Sequence, residues 1–277
     1  MPLTLMYITN NPQIATIAEE NGVDRIWVDL ETLGKDERQK NMNTVKSYHT
    51  VEDVRSIAAV IKRSELMVRV NSMNENSAEE IEKVISAGAH RIMLPMWRSL
   101  DEVHRFLSIV NGRVGTTLLL ETKEAVEVVD DVLREALLDE IHVGLNDLHL
   151  SYGMTFMFEL LTDGTVESLC SKFKAQGIKY GFGGIARIGE GDLPAERVIA
   201  EHYRLGSSRA ILSRSFCDAS KICDIENVRE IFEKNMKQLR SFEEEVVGYD
   251  LCAFSKNTEA VKDAVKRIVE KKKGCMQ

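Results

Sequence analysis

Short apolar runs alternate with longer amphipathic segments through the first 216 residues of the chain. The amphipathic segments, which include residues 51–63, 78–87, 100–110 and 124–138, repeat their apolar positions with helical spacing. Alternation of strands and helices is typical of a parallel sheet, and eight repeats close well as a (β/α)8 TIM barrel. The predicted strands are residues 3–8, 25–31, 66–71, 91–96, 116–121, 140–145, 179–183 and 209–213.

An open, doubly wound α/β sheet is the alternative arrangement of the same elements. Such a sheet would carry a glycine-rich turn after its first strand. Here the first predicted strand continues into Thr9-Asn10-Asn11-Pro12, which contains no glycine. The closed barrel is therefore the favoured fold.

Two further helices, over residues 224–247 and 258–272, follow the eighth predicted strand. We therefore divide the chain into a barrel domain, residues 1–222, and a C-terminal helical extension, residues 223–277. The segment between the two helices contains Leu251 and Phe254, which need cover. The extension is expected to pack on the barrel or on a neighbouring subunit.

Strand parity sorts the side chains of the second strand. Ile26, Val28 and Leu30 share one face, and Asp29 and Glu31 share the other. Because helices surround a barrel, the aliphatic face should point outward. The two acids should then point inward, near the C-terminal mouth where the active sites of this fold lie.

Three charged residues end other apolar runs in the same way. Arg69 follows Met67 and Val68, Glu121 closes the fifth strand, and Asp147 lies just past the sixth. Buried charges are costly unless each has a partner. A divalent cation and a small anionic substrate would satisfy all three, and oxygen-only ligation favours Mg²⁺ or Mn²⁺. Salt bridges at the barrel mouth are the alternative interpretation.

Other candidate residues carry weaker signals. His49, in the long loop after the second strand, could supply a catalytic base or could be a surface histidine at a helix start. His142 is expected inside the barrel, most often as a packing residue. The glycine-rich stretch 181–187 could contact a phosphate or could simply permit close backbone approach.

Composition and charge restrict the class of protein. The chain has 277 residues, 44% of them apolar and 29% charged, with a net charge of −8. This acidity argues against a nucleic acid or an anionic membrane as the main partner. The five cysteines form no CxxC pair, and neither a basic leader nor a membrane-spanning apolar run is visible. A cytoplasmic location is expected.

Several segments together indicate a family. They are residues 18–31 (AEENGVDRIWVDLE), 68–71 (VRVN), 87–96 (AGAHRIMLPM), 121–122 (ET) and 144–148 (GLNDL). In order and spacing they resemble the HpcH/HpaI aldolase and citrate lyase β-subunit-like family, whose fold is the phosphoenolpyruvate/pyruvate-type TIM barrel. The similarity extends over about residues 15–215.

The resemblance implies a lyase or aldolase that uses Mg²⁺ or Mn²⁺ and forms an enolate from a pyruvate- or oxaloacetate-type 2-oxo acid. The second substrate would be an aldehyde or a thioester. The expected assembly is a homo-oligomer, a trimer or a hexamer. The roles that carry over are metal ligation by Glu121 and Asp147, and binding of the substrate carboxylate by Arg69. Asp29, Glu31, Gly144 and Asn146 are our further candidates for substrate binding, with a salt bridge to Arg38 or Arg69 as the alternative for Glu31.

The chain departs from the family where the second substrate would bind. Thr32 stands where one branch has a histidine and the citrate-lyase-like branch has a second acid, although Lys35 and Arg38 resemble that second branch. Leu119 replaces a glutamine. His49 is therefore our candidate for the base. A CoA-thioester lyase, an oxaloacetate decarboxylase and a non-catalytic metabolite-binding barrel stay open.

Overall fold

Eight parallel strands form a closed barrel in the computed structural model, which describes residues 1–34, 49–218, 222 and 224–274. Each strand pairs with the next in sequence, and the eighth pairs with the first. This architecture confirms the predicted TIM barrel. The strands are β1 (Thr4–Ile8), β2 (Arg25–Asp29), β3 (Glu65–Arg69), β4 (Arg91–Leu94), β5 (Gly115–Leu120), β6 (Glu140–Val143), β7 (Lys179–Ile185) and β8 (Arg209–Leu212).

Helices surround the barrel and continue after its last strand. No helix among residues 1–34 and 49–274, so far as these are described, is both long and apolar enough to cross a membrane. The helices are α1 (Pro12–Glu20), α2 (Val51–Ala58), α3 (Ser77–Ser86), α4 (Leu100–Val110), α5 (Lys123–Glu135), α6 (Leu145–Ser151), α7 (Glu159–Thr162), α8 (Thr165–Ala175), α9 (Ala195–Leu205), α10 (Ile225–Val247) and α11 (Leu251–Gly274).

The barrel wall separates two apolar regions. The aliphatic faces of the strands, such as Val28 and Val68, join the helices in one large outer core. A small inner cluster fills the middle of the barrel. This division confirms the parity argument, because alternate residues of each strand face opposite sides of the wall. The inner cluster consists of Met6, Trp27, Met67, Met93 and Leu119.

A charged layer closes the barrel at the N-terminal ends of the strands. Glu140 accepts hydrogen bonds from Arg25 Nη1 at 2.5 Å and from Arg209 Nε at 2.8 Å. Glu65 pairs with both Arg25 and Arg91. Burial alone would raise the pKa of Glu140, but the hydrogen bond and charge of Arg25, with Arg91 and Arg209, lower it to about 2. The layer is thus a network of paired charges.

The helix predicted over residues 51–63 ends earlier, at Ala58. The carboxylate of Glu19, on α1, accepts the backbone N–H groups of Lys62, Arg63 and Ser64 at 2.6–2.8 Å. These amides are therefore unavailable to a continuing helix. The local sequence does not reveal this competition, because Glu19 lies more than forty residues away along the chain.

The last helix begins at Leu251, seven residues before its predicted start at 258. Asp250 caps it, since its side chain accepts from the Ala253 amide at 2.7 Å and its carbonyl accepts from the Phe254 amide. The side chain of Leu251 is 88% exposed in the single chain, so its cover by a neighbouring subunit stays a prediction. Phe254 packs edge-on against Tyr249, with 5.7 Å between ring centroids.

Helix α11 packs against α9 and α7 of the same chain. Its buried face includes Val261 and Val265. Glu201, on α9, is buried and accepts hydrogen bonds from Asn257 Nδ2 at 2.9 Å and Thr258 Oγ1 at 3.0 Å. Polar pairing fixes the register of this helix, because a buried carboxylate must keep its partners.

Candidate active site at the mouth of the barrel

Arg69 and Asp29 lie side by side at the C-terminal ends of paired strands β3 and β2. Arg69 donates from Nε to Asp29 Oδ1 and from Nη2 to Asp29 Oδ2, both at 2.8 Å. The same Nη2 is 3.2 Å from Glu31 Oε2. Both acids therefore face inward as parity predicted, and they hold one edge of the guanidinium.

Trp27, one layer deeper in the barrel, supports Arg69 from below. The guanidinium carbon lies 5.1 Å from the indole centroid, within the range of a cation–π contact. Burial opposes the charged guanidinium, but the carboxylates of Asp29 and Glu31 outweigh it and raise the pKa of Arg69. Nη1 has no hydrogen-bond acceptor in the described part of the chain. A substrate carboxylate would therefore meet Nη1, because Asp29 occupies the edge formed by Nε and Nη2.

Glu121 directly follows β5 and is 3% exposed. Its Oε1 accepts the backbone N–H of Met96 at 3.1 Å. Met96 has a φ of 54°, which is uncommon for a residue other than glycine. The adjacent Thr122 donates to the Trp97 carbonyl at 2.9 Å. The loop after β4 thus fixes the end of β5 and orients one oxygen of Glu121.

Gly144 is the neighbour of Glu121 on the next strand end. A Cβ at Gly144 would lie 2.8 Å from Glu121 Oε2 and 2.9 Å from Glu121 Cβ, closer than real Cβ atoms approach other atoms. Gly144 is therefore required here to leave space for Glu121, and its role in substrate binding stays a prediction. Asp147 follows in the first turn of α6, and Asn146 beside it is exposed.

The buried carboxyl group of Glu121 interacts with the negative charge of Asp147. Burial and the negative charge of Asp147 raise the pKa of Glu121 well above its usual value, and the charge of Arg69 only partly opposes this. The carboxyl groups of Glu121 and Asp147 offer hard oxygen donors of the kind that a divalent cation such as Mg²⁺ or Mn²⁺ binds. Among residues 1–34 and 49–274, so far as these are described, no group of three His, Cys, Asp or Glu side chains converges as a ligand set. Water or substrate would have to complete the coordination.

His49 is placed at the same mouth, but its geometry does not suit a base at Nδ1. That nitrogen accepts the backbone N–H of Asp29 at 3.0 Å. A backbone amide always donates, so the neutral ring must carry its proton on Nε2. His49 can then offer a hydrogen-bond donor through Nε2. Proton abstraction would first require the Asp29 contact to break.

Thr32 is exposed and is held in place by Asn71. The Asn71 Oδ1 atom accepts from the backbone amides of Thr32 and Leu33, both at 2.9 Å. Sequence analysis quoted Asn71 in a motif but gave it no role, and it gave none to Trp27. Their positions in the sequence could have placed both near the site. Asn71 lies two residues past Arg69, and Trp27 is on the same inward-facing side of β2 as Asp29.

Other sequence-level candidates lie elsewhere or serve packing. His142 is fully buried, its Nε2 is 3.1 Å from the Gly183 carbonyl, and burial lowers its pKa to about 4. In the glycine-rich stretch, a Cβ at Gly181 would lie 2.3 Å from the Arg209 carbonyl oxygen, so close backbone approach explains that glycine. Lys35 and Arg38 lie outside the described residues.

A closed barrel with carboxylates and an arginine at its C-terminal mouth belongs to the TIM-barrel class. Residues 3–160 match the family model described as HpcH/HpaI aldolase/citrate lyase, and the chain belongs to this family. The family is aldolase- and citrate-lyase-like, consists generally of lyases and aldolases, and commonly depends on divalent metals. No curated protein sequence matches the chain.

Solved structures share the fold at low sequence identity. An HpcH/HpaI aldolase/citrate lyase family protein from Burkholderia cenocepacia J2315 has a TM-score of 0.63 and 16% identity, covering 82% of this chain and 95% of its own. An HpcH/HpaI aldolase from Desulfitobacterium hafniense DCB-2 has a TM-score of 0.60 and 16% identity, and the match covers 86% of this chain and 93% of the aldolase. The citrate synthase SbnG has a TM-score of 0.58 and 16% identity, and the match covers 76% of this chain and 86% of the synthase.

Proposed function

We propose that this protein is a Mg²⁺- or Mn²⁺-dependent carbon–carbon lyase or aldolase acting on a pyruvate- or oxaloacetate-type 2-oxo acid. The observation that carries the proposal is the placement of buried Glu121 and of Asp147 just after the successive strands β5 and β6, in a mouth that also holds Arg69. Membership in an aldolase and lyase family gives this arrangement its chemical context.

The described residues at the mouth of the barrel carry more carboxyl groups than basic groups, which favours the binding of a cation. Asp29, Glu31, Glu121 and Asp147 supply four carboxyl groups, and Arg69 is the cation that acts on Glu121. Asp29 and Glu31 already satisfy Arg69. Glu121 and Asp147 offer two neighbouring carboxyl groups, and they would be the protein ligands of the metal. A bound divalent cation would supply charge stabilisation for an oxygen that becomes negative during the reaction.

Arg69 is the proposed anchor for the substrate carboxylate. Asp29 and Glu31 hold one edge of its guanidinium, and Trp27 lies under its face. A guanidinium held along one edge and under one face loses little conformational freedom when its Nη1 atom binds an anion. This preorganisation orients the 2-oxo acid before any bond breaks.

The residues that would act on the second substrate are less like those of the family. Thr32 occupies the family position for the base, and His49 presents a donor at Nε2 while Asp29 binds its Nδ1. Loss of CO₂ from oxaloacetate requires no proton to be taken from a hydroxyl group. Oxaloacetate decarboxylation is therefore the reaction that demands least of this site.

Two alternatives remain distinct proposals. A CoA-thioester lyase rests on the similarity of Lys35 and Arg38 to the citrate-lyase-like branch. A non-catalytic metabolite-binding barrel is favoured by Thr32 and by the occupied edge of Arg69. For either, as for the lyase, we propose a small 2-oxo acid as ligand and a homotrimer or homohexamer as the assembly, without nucleic acid or membrane as partner.

The test is oxaloacetate decarboxylation by the full chain with Mn²⁺, compared between wild type and Glu121→Gln. Glu127→Gln, an exposed substitution on α5, is the matched control. We expect metal-dependent turnover in wild type and the control, and loss of both turnover and calorimetric Mn²⁺ binding in Glu121→Gln. Because free Mn²⁺ also decarboxylates oxaloacetate, the rate with Mn²⁺ and no protein is subtracted from every rate as the background.

The outcomes separate the proposals. Turnover in the wild type that Glu121→Gln retains would remove Glu121 from the metal site. Mn²⁺-dependent oxalate binding without turnover of oxaloacetate, or of a 4-hydroxy-2-oxo acid, supports the metabolite-binding barrel. Cleavage of a CoA thioester alone supports the thioester lyase.

A further inference from the structure

The start of the loop after β2 is held by the side chain of Asn71, which lies two residues past the end of β3. Asn71 Oδ1 accepts from the backbone amides of Thr32 and Leu33, both at 2.9 Å, and from Thr32 Oγ1 at 3.3 Å. The side chains of Thr32 and Leu33 are exposed, so packing contributes little to their position. Hydrogen bonds to Asn71 Oδ1 therefore help to fix the positions of Thr32 and Leu33.

Asn71 is itself fixed by Glu80, on α3. The Asn71 side-chain nitrogen donates to Glu80 Oε1 at 2.8 Å and to the Leu30 carbonyl at 3.4 Å, and its backbone N–H donates to the same Glu80 oxygen at 3.1 Å. Glu80 is half-buried, so these bonds are partly shielded from water. We name this pair the Asn71–Glu80 bracket.

The bracket joins both elements that hold the substrate anchor. Asn71 lies two residues past Arg69, and Thr32 directly follows Glu31, a partner of Arg69. Displacement of the loop would therefore move Glu31 relative to Arg69. Only a side chain that accepts on one atom and donates on another can serve here, because the loop offers N–H groups and Glu80 offers a carboxylate.

We propose that the Asn71–Glu80 bracket positions residues 30–34, at the start of the loop after β2, for turnover. Asn71 acts as a positioning residue that touches neither metal nor substrate. This inference rests on the proposed lyase function of the same site. The bracket sets the geometry of Arg69 and Glu31 and leaves the metal ligands Glu121 and Asp147 unchanged. Its loss therefore affects catalysis and oxalate binding and spares Mn²⁺ binding.

The first experiment measures hydrogen–deuterium exchange in a peptide covering residues 30–34, which does not depend on activity. In Asn71→Ala, the amides of Thr32 and Leu33 lose their acceptor and exchange faster. Asn76→Ala is the matched control, since Asn76 is exposed in the following loop and its side chain makes no capping bond. The control should exchange as the wild type does.

The second experiment measures decarboxylation kinetics and Mn²⁺ affinity. Asn71→Ala should lower kcat/KM roughly 10–100-fold, as for other residues that orient a site indirectly, with Mn²⁺ affinity unchanged. Asn71→Asp keeps the acceptor for the loop but opposes Glu80 with a second carboxylate. Adding Glu80→Gln gives that carboxylate a donor, so the double variant should recover roughly tenfold over Asn71→Asp. Glu79→Gln, on the exposed face of α3, is the control for Glu80→Gln.

Each result decides one point. Unchanged exchange in Asn71→Ala overturns the bracket. Faster exchange with unchanged turnover and oxalate affinity overturns its positioning role, as does a double variant no better than Asn71→Asp. A wild type that binds Mn²⁺ and oxalate without turnover overturns the lyase function, and the bracket is then judged by exchange and oxalate affinity.

Discussion

Arg69 and Asp29 form a two-point ion pair across adjacent strands, with Nε and Nη2 each 2.8 Å from a carboxylate oxygen. The pair satisfies the edge of the guanidinium that a substrate would otherwise occupy. It also fixes the plane of the guanidinium, so that Nη1 has a defined direction. Arg69 is thus held by the protein before it binds any ligand.

Arg69→Lys should weaken oxalate binding in the presence of Mn²⁺ by about 1.5–3 kcal/mol, typical of a hydrogen bond to a charged group. An ammonium cannot satisfy Asp29 at two points and also present a second donor in the same plane. Calorimetry measures the change, with Arg55→Lys on the exposed face of α2 as control. Equal oxalate affinity in Arg69→Ala would show that the arginine is purely structural.

Gly144→Ala should lower Mn²⁺ affinity roughly 10–100-fold, comparable to loss of a residue that orients a metal ligand. The new methyl group would lie 2.8 Å from Glu121 Oε2, so the carboxylate must move. Gly184→Ala is the control, because a Cβ there meets its nearest neighbour at 3.4 Å. If both variants bind Mn²⁺ equally well, Glu121 Oε2 is not a ligand.

Glu140→Gln should lower the free energy of unfolding by about 3–5 kcal/mol, because it leaves Arg25 and Arg209 buried with a neutral partner. The pKa of Glu140 is depressed from 4.5 to about 2 in the fold. Its stabilisation is therefore complete above about pH 4.5 and is lost as the pH falls through about 2.

Urea unfolding of wild type and Glu140→Gln at several pH values tests this. The difference in unfolding free energy should be constant near neutrality and shrink below about pH 4.5. Glu124→Gln, at the start of α5 and outside the charged layer, is the control. A difference that persists unchanged down to about pH 2 contradicts the ionic role.

His49→Ala should reduce turnover without shifting the acidic limb of the pH–rate profile. The reason is that Nδ1 is committed to the Asp29 amide, so the ring acts as a donor and as a support for β2. Our sequence-based hypothesis expects a different result, in which aldol cleavage is lost and oxaloacetate decarboxylation is kept. Assaying both reactions on each preparation decides between them, and selective loss of aldol cleavage would restore His49 as the base.

Asn257→Ala should lower the free energy of unfolding by about 1–3 kcal/mol, because Glu201 would lose a hydrogen-bond donor while staying buried. Denaturant titration followed by circular dichroism measures this. Leu251→Ser is the control, since Leu251 is 88% exposed and its replacement removes little buried surface. Equal midpoints would show that the polar contacts do not secure α11.

The sequence alone determined the eight strands, their inward and outward faces, and the positions of Arg69, Glu121 and Asp147 at strand ends. These features follow from local periodicity, because side chains alternate across a strand and helices must cover the aliphatic face. The eight predicted strands are all present, with boundaries shifted by at most two residues. The chemical roles of the three charged residues stay predictions.

Tertiary structure decided what each of these groups touches. Asp29 occupies the Nε–Nη2 edge of Arg69, and the backbone N–H of Asp29 donates to His49 Nδ1. Asn71 holds the loop at Thr32 across 39 residues of sequence. Such contacts depend on strand register and rotamers at positions distant along the chain, and neither hydrophobic pattern nor composition encodes them locally. The sequence thus determined which groups reach the mouth, and only the fold determined how they are paired there.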